Sequence, residues 1–173
     1  QIAVVIWTTT PWTLPANQAV ALNAELDYVL LQTGGMRLLL AEALVESAAQ
    51  RYKLEDWRIV GRCKGEALVG QKLQHPFLDR QVPVIVGEHV TTDAGTGAVH
   101  TAPAHGQEDF IVGQKFGLAV DNPVDGRGVF LSEIPLVGGQ HIDKSVPIII
   151  DELKKRGVLI AHETVSYTHL TLP

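Results

Sequence analysis

One cysteine in 173 residues, Cys63, leaves no internal disulfide to form, and no signal peptide is evident. Both absences favour a reducing, cytoplasmic setting. Long apolar runs are also missing. The longest, Ile2–Trp7 and Val146–Ile150, have the length of a strand or a helix start, against the ~20 residues that span a bilayer. Basic charge is in short supply, with 14 Lys and Arg against 19 Asp and Glu and a net charge of −5. Free-standing nucleic-acid binders carry a basic stripe, so any RNA contact is expected to draw most of its phosphate-binding charge from another part of a larger protein. No initiator Met precedes Gln1, which stands directly against a strand-like run, so the chain reads as an excised piece.

Several catalytic patterns are absent too. The glycines of Gly95-Thr96-Gly97 match neither the Walker loop nor the dinucleotide fingerprint. No Gly-x-Ser-x-Gly elbow exists, and Cys63 lies in a strand away from the histidines in sequence. His100, His105, Glu108 and Asp109 form a conceivable metal set. The gap between its histidines fits neither His-Glu-x-x-His nor the zinc deaminase signature, which needs Pro-Cys-x-x-Cys. Any hydrolysis here would therefore use bound water positioned by the site, without a covalent intermediate, and neither a metal nor a cofactor is expected.

What is present suits one domain with a sizeable core: 46% hydrophobic and 19% charged residues. Ile2–Trp7 predicts a buried strand. Tyr28–Gln32 and Met36–Leu40 flank Thr33-Gly34-Gly35 as a hairpin. An amphipathic helix is expected over Ala41–Lys53, with Ala41, Leu44, Val45 and Ala48 on one face. Trp57–Cys63, Val82–Val86, Gly97–Thr101 and Val158–Ile160 read as strands. A helix over Gln107–Phe116 ends at Gly117. Another starts with Ser145 as N-cap and Pro147 in its first turn, and runs to Arg156 before Gly157. The expected fold class is β-rich α+β, a β-barrel-like core decorated by about three helices.

Two segments concentrate polar chemistry. In Trp7-Thr8-Thr9-Thr10-Pro11-Trp12-Thr13-Leu14-Pro15-Ala16-Asn17, four threonines and an asparagine stand beside a strand end. Such hydroxyls can hold an ester, ribose hydroxyls or an attacking water. Threonine also simply favours strands and turns, and composition alone supports that plainer explanation better. The second segment runs from Gly95 to Phe110, with His100 on a strand and Asp109 in the first turn of the next helix. An acid there complements the helix dipole, worth about 0.3–1 kcal/mol, and a strand histidine can be merely half-buried and hydrogen-bonded. Taken alone, the residues stop at a β-rich domain with a polar site.

Together, however, the two segments resemble the editing domain inserted in the catalytic domain of isoleucyl-tRNA synthetases, which are class I aminoacyl-tRNA synthetases. Trp7-Thr8-Thr9-Thr10-Pro11-Trp12-Thr13-Leu14-Pro15-Ala16-Asn17 is long and specific. The related valyl and leucyl enzymes typically have Thr-Thr-Arg-Pro there, and lack the histidine that follows Gly-Thr-Gly-Ala-Val here as His100. The likeness continues through Gly113–Leu118, Asn122-Pro123 and the helix ending at Gly157.

The resemblance implies an editing domain over residues 1–167, with 168–173 a foreign or artefactual tail, because Thr168 follows Tyr167 where the family has Pro and then Cys. It implies hydrolysis of valine mischarged on isoleucine tRNA, and possible cleavage of valyl-adenylate, with isoleucine excluded by size. Thr8, Thr9 and Thr10 would line the pocket with Thr13 and Asn17 nearby. Asp109 would pair with the α-ammonium, and His100 would stand beside the amino-acid side chain, as steric gate or as base. Asp109, His100 and Thr9 are the expected catalytic residues. The partner would be the charged acceptor end of that tRNA, delivered with help from the rest of the synthetase, with no membrane and no oligomer implied. The signatures His-Ile-Gly-His and Lys-Met-Ser-Lys-Ser are absent, so no aminoacylation is expected of this piece. Two rivals remain: a module that docks a tRNA end without cutting it, and the threonine-specific editing domain of the valyl enzyme, against which Trp12 and His100 speak.

Overall fold

The computed structural model describes residues 2–163, so the expected tail at 168–173 lies outside the described residues. The described residues form eight strands and three α-helices: β1 (Ile2–Val4), β2 (Ala19–Leu22), β3 (Asp27–Thr33), β4 (Met36–Ala41), α1 (Val45–Arg51), β5 (Arg58–Lys64), β6 (Lys72–Gln74), β7 (Gln81–Val86), β8 (Val99–Thr101), α2 (Gln107–Lys115) and α3 (Ile142–Lys155). None of these helices is long and apolar enough to cross a membrane.

The hairpin of β3 and β4 organises the first sheet. Gly34 and Gly35 take φ of +48° and +83°, the left-handed conformation that a two-residue hairpin turn demands. Six residue pairs then zip from Thr33–Met36 back to Tyr28–Ala41. β5 pairs on the far side of β3 and β1 runs parallel on the edge of β4, giving the order β1-β4-β3-β5. The second sheet has the order β6-β7-β2-β8, with β2 parallel to β7 and antiparallel to β8.

The two sheets share a core, in which Val20, Leu22 and Val84 meet Tyr28 and Ala41. α1 covers the first sheet through Val45 and Ala48 against Val29, Leu31 and Leu40. α2 sets Val112 against Ala19, Ala21 and Ile85 of the second. α3 packs Ile149 and Leu153 against Leu14, which lies in a 3-10 turn over Pro11–Ala16. The β-rich α+β class with three α-helices holds, its strands arranged as two small sheets around common contacts.

Several boundaries differ from expectation. Ile2–Trp7 is a three-residue edge strand followed by an irregular stretch, and Ile2 and Trp7 are exposed. Ala41 closes β4; the next helix opens as a 3-10 turn over Glu42–Leu44 and ends before Lys53, whose φ is +52°. α3 starts at Ile142 with His141 as its cap, so Ser145 and Pro147 are interior. Ser145 is fully buried and donates its hydroxyl to the Ile142 carbonyl at 2.6 Å. Among the described residues Val158–Ile160 forms no strand; Ile160 and Leu159 pack against two different core clusters. β2 and β6 were not foreseen. β2 reads Ala-Val-Ala-Leu and is buried throughout, so it shows no alternation.

Candidate functional site

The threonine segment and the Gly95–Asp109 segment meet across a cleft of about 340 Å³. The 3-10 turn Pro11–Ala16 holds the first segment in place. Its bonds run from Thr13 N to Thr10 O (3.0 Å) and from Asn17 N to Leu14 O (3.0 Å). Behind it, the loop between β6 and β7 acts as a brace. His75 donates from Nε2 to the Leu14 carbonyl (3.0 Å) and accepts at Nδ1 from Leu78 N (3.0 Å). Arg80 Nη2 donates to the Pro15 carbonyl at 2.7 Å. His75 is fully shielded, and burial pushes its pKa down to about 4, so it stays neutral at physiological pH.

Backbone proximity places the second segment. Gly97, at φ +76°, passes so close to β4 that a Cβ on it would stand 2.4 Å from the Ala41 Cβ. The Ala41 N–H donates to Thr96 O at 2.9 Å, and the Tyr28 hydroxyl donates to Gly97 O at 2.5 Å. These ties deliver β8 to β2, with Val20 opposite His100 and Ala19 opposite Thr101. Asn17 immediately precedes that pairing.

His100 is held at both ring nitrogens. The Asn17 amide donates one N–H to Ala19 O (2.8 Å) and the other to His100 Nδ1 (2.7 Å). Thr13 donates its single hydroxyl proton to Thr10 O (2.8 Å), so at 2.9 Å from His100 Nε2 it can only accept. The proton of the neutral ring therefore sits on Nε2, and its one lone pair, on Nδ1, belongs to Asn17. Burial, with smaller effects of His75, His105 and Arg80, pushes the His100 pKa to about 4. The result is a fixed, uncharged wall with no lone pair free for a water.

Asp109 is the third residue of α2. Its Oδ2 accepts from the Ala102 N–H at 2.9 Å, and burial raises its pKa above the ordinary carboxylate value. Thr8 Oγ1 accepts from Thr10 N at 3.0 Å, which curls the strand end, and Thr9 and Thr10 are exposed. Thr8, Thr9, Thr10, Thr13, His100 and Asp109 all line the cleft. Asn17 does not; it stands behind His100, 6% exposed. Trp7, His89 and His105 line it as well. Trp7 had a signal, standing at the head of the threonine string, whereas nothing around His89 announced it. Among the described residues no three His, Cys, Asp or Glu side chains are grouped to hold a metal ion.

Comparisons with known proteins give the family of the chain. A family model described as "Leucyl-tRNA synthetase, editing domain" matches residues 1–133. Isoleucine–tRNA ligases of Alkalilimnicola ehrlichii and Thioalkalivibrio sulfidiphilus are 58% and 59% identical over 98% and 97% of the chain. The chain spans 18% of the length of these curated relatives. Among solved structures, GlLeuRS-CP1 superposes with a TM-score of 0.75 at 14% identity, covering 95% of this chain and 85% of that one. The Plasmodium knowlesi cytosolic leucyl-tRNA synthetase editing domain gives 0.66 at 11% identity, covering 90% and 83%. Those identities speak for the fold alone, while the family model covers most of the chain and the ligases resemble nearly all of it. The chain belongs to the editing-domain family of the aminoacyl-tRNA synthetases.

Proposed function

We propose that this chain hydrolyses valine from mischarged isoleucine tRNA, acting as the second sieve of the synthetase that carries it. One observation supports the reading above others: a half-buried carboxylate, a neutral immobile imidazole and a run of open hydroxyls face one cleft. The Asp109 carboxylate suits the α-ammonium of an aminoacyl ester, since a cation restores the solvation that burial removes. His100 suits a size gate. Pinned between Asn17 and Thr13, it does not swing aside for a larger side chain. Isoleucine exceeds valine by one methylene, which a binding pocket alone resolves by only about 1–3 kcal/mol; that figure is general and comes from this class of enzyme. Steric exclusion by a rigid wall works in the opposite direction, admitting the smaller acid.

Hydrolysis breaks the ester C–O bond by addition of water, and the tRNA leaves with its hydroxyl restored. With the His100 lone pair occupied, the water is held by the open hydroxyls of Thr9 and Thr10 and by the substrate itself. The threonines thus bind and orient, and Asp109 anchors. Valyl-adenylate presents the same acyl group and is a second candidate substrate.

Deacylation of valyl-tRNA by the Asp109→Asn variant tests this. Asparagine can still accept from Ala102 N but has no charge. A charge-assisted hydrogen bond contributes about 1.5–3 kcal/mol, so the rate at subsaturating enzyme should fall roughly ten- to hundredfold. Full activity in the variant removes the role of Asp109. Binding of the charged tRNA end by the wild type without turnover favours a docking module instead.

A further inference from the structure

Thr96 lines the cleft and is 1% exposed, and no role described above uses its hydroxyl. The single hydroxyl proton goes to the Val5 carbonyl; the Ala98 carbonyl, at 3.4 Å, is the more distant acceptor. Val5 does not line the cleft. It lies buried two residues before Trp7, in the cluster that holds Leu38, Leu40 and Val45. Its own N–H donates to Leu39 O at 3.1 Å.

Both backbone polar groups of Val5 are therefore fixed, the N–H by β4 and the carbonyl by Thr96. Because the peptide unit is planar, orienting the Val5 carbonyl also orients the bond to Ile6. The chain leaves β1 in one direction, which leads to Trp7 and the hydroxyls of Thr8, Thr9 and Thr10. Thr96 is itself held. Its carbonyl accepts from Ala41 N at 2.9 Å, and the Tyr28 hydroxyl donates to the carbonyl of the next residue, Gly97. On its other side Gly95 lies against the Trp7 indole, where a Cβ would stand 3.7 Å from Cε3.

The threonine run is thus a span tied at both ends to the opposite wall of the cleft. Upstream the tie is Thr96 to Val5; downstream it is His100 to Thr13 and Asn17. The two ties hold different things. The downstream tie pins the imidazole wall, which governs the size of acyl group that fits. The upstream tie pins no wall, and fixes instead where the open hydroxyls of Thr9 and Thr10 stand relative to Asp109. We propose that Thr96 is a positioning residue for ester hydrolysis. Acting through Val5, it sets where the threonine hydroxyls hold the attacking water, and it leaves size selection to His100. This deepens the proposed function and rests on it.

The test is single-turnover deacylation by the full-length synthetase that carries this chain. Valyl- and isoleucyl-tRNA are compared over a range of enzyme concentrations. Thr96→Val keeps the shape of the side chain and removes the donor. Its saturating rate on valyl-tRNA is expected to fall about tenfold, within the loss that a misplaced reacting group causes. The half-saturating concentration should change less than about twofold, because Asp109 keeps its place on α2. Isoleucyl-tRNA should stay spared. Thr96→Ser restores the donor and should recover at least about half of the wild-type rate. Asn17→Ala cuts the other tie and should show the converse, with isoleucyl-tRNA becoming a substrate.

A Thr96→Val enzyme with the wild-type saturating rate overturns the proposal. So does a Thr96→Ser enzyme no faster than Thr96→Val, or a Thr96→Val enzyme that deacylates isoleucyl-tRNA. A purely structural role would lower the unfolding temperature and leave the saturating rate of the folded enzyme alone. Should Thr96→Val fail to fold, Thr96→Cys takes its place. A thiol is a weak donor, so a rate about threefold below that of Thr96→Ser is expected, and equal rates overturn the assignment. A wild-type enzyme that leaves valyl-tRNA intact sinks the functional reading itself, whereas wild-type turnover that is indifferent to Thr96 sinks only this inference.

Discussion

The Asn17 amide and the His100 imidazole are 83 residues apart in sequence and meet at 2.7 Å, with Thr13 closing the other side of the ring at 2.9 Å. Asn17 thus acts through His100 without lining the cleft itself. Asn17→Asp replaces a donor with an acceptor. The imidazole proton must then move to Nδ1, and Thr13 must turn its hydroxyl from Thr10 O toward Nε2. The nearby carboxylate also favours the charged ring, so the His100 pKa should rise from about 4 toward neutrality. Nitrogen-15 spectra of labelled histidine should show an Nε2–H ring in the wild type and an Nδ1–H or charged ring in the variant. An unchanged Nε2–H ring would contradict the hydrogen-bond logic.

Removing the wall should change selectivity more than fold. His100→Ala deletes a buried ring that touches both Asn17 and Thr13, so some stability is lost, about 1–3 kcal/mol for the partners left unsatisfied. The space it opens exceeds one methylene. Isoleucyl-tRNA, which the wild type should spare, becomes a substrate in the variant. Deacylation rates on isoleucyl- and valyl-tRNA read this directly, and an unchanged ratio removes the steric role.

Much of this site was legible in sequence, though unevenly. The hairpin at Gly34-Gly35 and helix α2 with its stop at Gly117 were announced by local rules, since turn chemistry and capping act within a few residues. The two polar segments could be located, and the family resemblance supplied roles for Thr8, Thr9, Thr10, Thr13, His100 and Asp109. Long-range partners were hidden. Asn17 looks like one more substrate contact until β2 pairs with β8 and sets it behind His100. The brace from His75 and Arg80 spans 61 and 65 residues of chain and leaves no mark in either segment. The start of α3 was misplaced because histidine is not a favoured N-cap and an interior proline usually ends a helix.

Gly97 offers a test of how the second segment is delivered. Gly97→Ala forces an ordinary residue to φ +76° and drives its Cβ against Ala41. Left-handed strain costs about 1–3 kcal/mol and overpacking a similar amount. The variant should lose about 2–6 kcal/mol in denaturant unfolding, while Gly35→Ala, with open space around it, shows only the backbone strain. Equal losses at the two positions would mean that the contact with β4 contributes nothing.

The brace should also set the acid limit of the fold. His75 and His100 are both buried and titrate near 4 in the folded chain, against 6.5 when exposed. The unfolded chain therefore binds two more protons than the folded chain between those values. Stability rises with pH wherever the unfolded state holds more protons, so the contribution is complete above about pH 6.5 and is lost as pH falls toward 4. Each histidine accounts for on the order of 3 kcal/mol across that window. Asp109 works in the opposite sense, since its raised pKa makes the folded chain the better proton acceptor in the carboxylate range. Denaturant midpoints should therefore drop steeply from pH 7 to pH 4. In His75→Gln, where an amide can still donate to Leu14 O and accept from Leu78 N, the drop should be about half as large. A wild-type midpoint that stays flat over this range would mean that neither imidazole is held neutral by the fold.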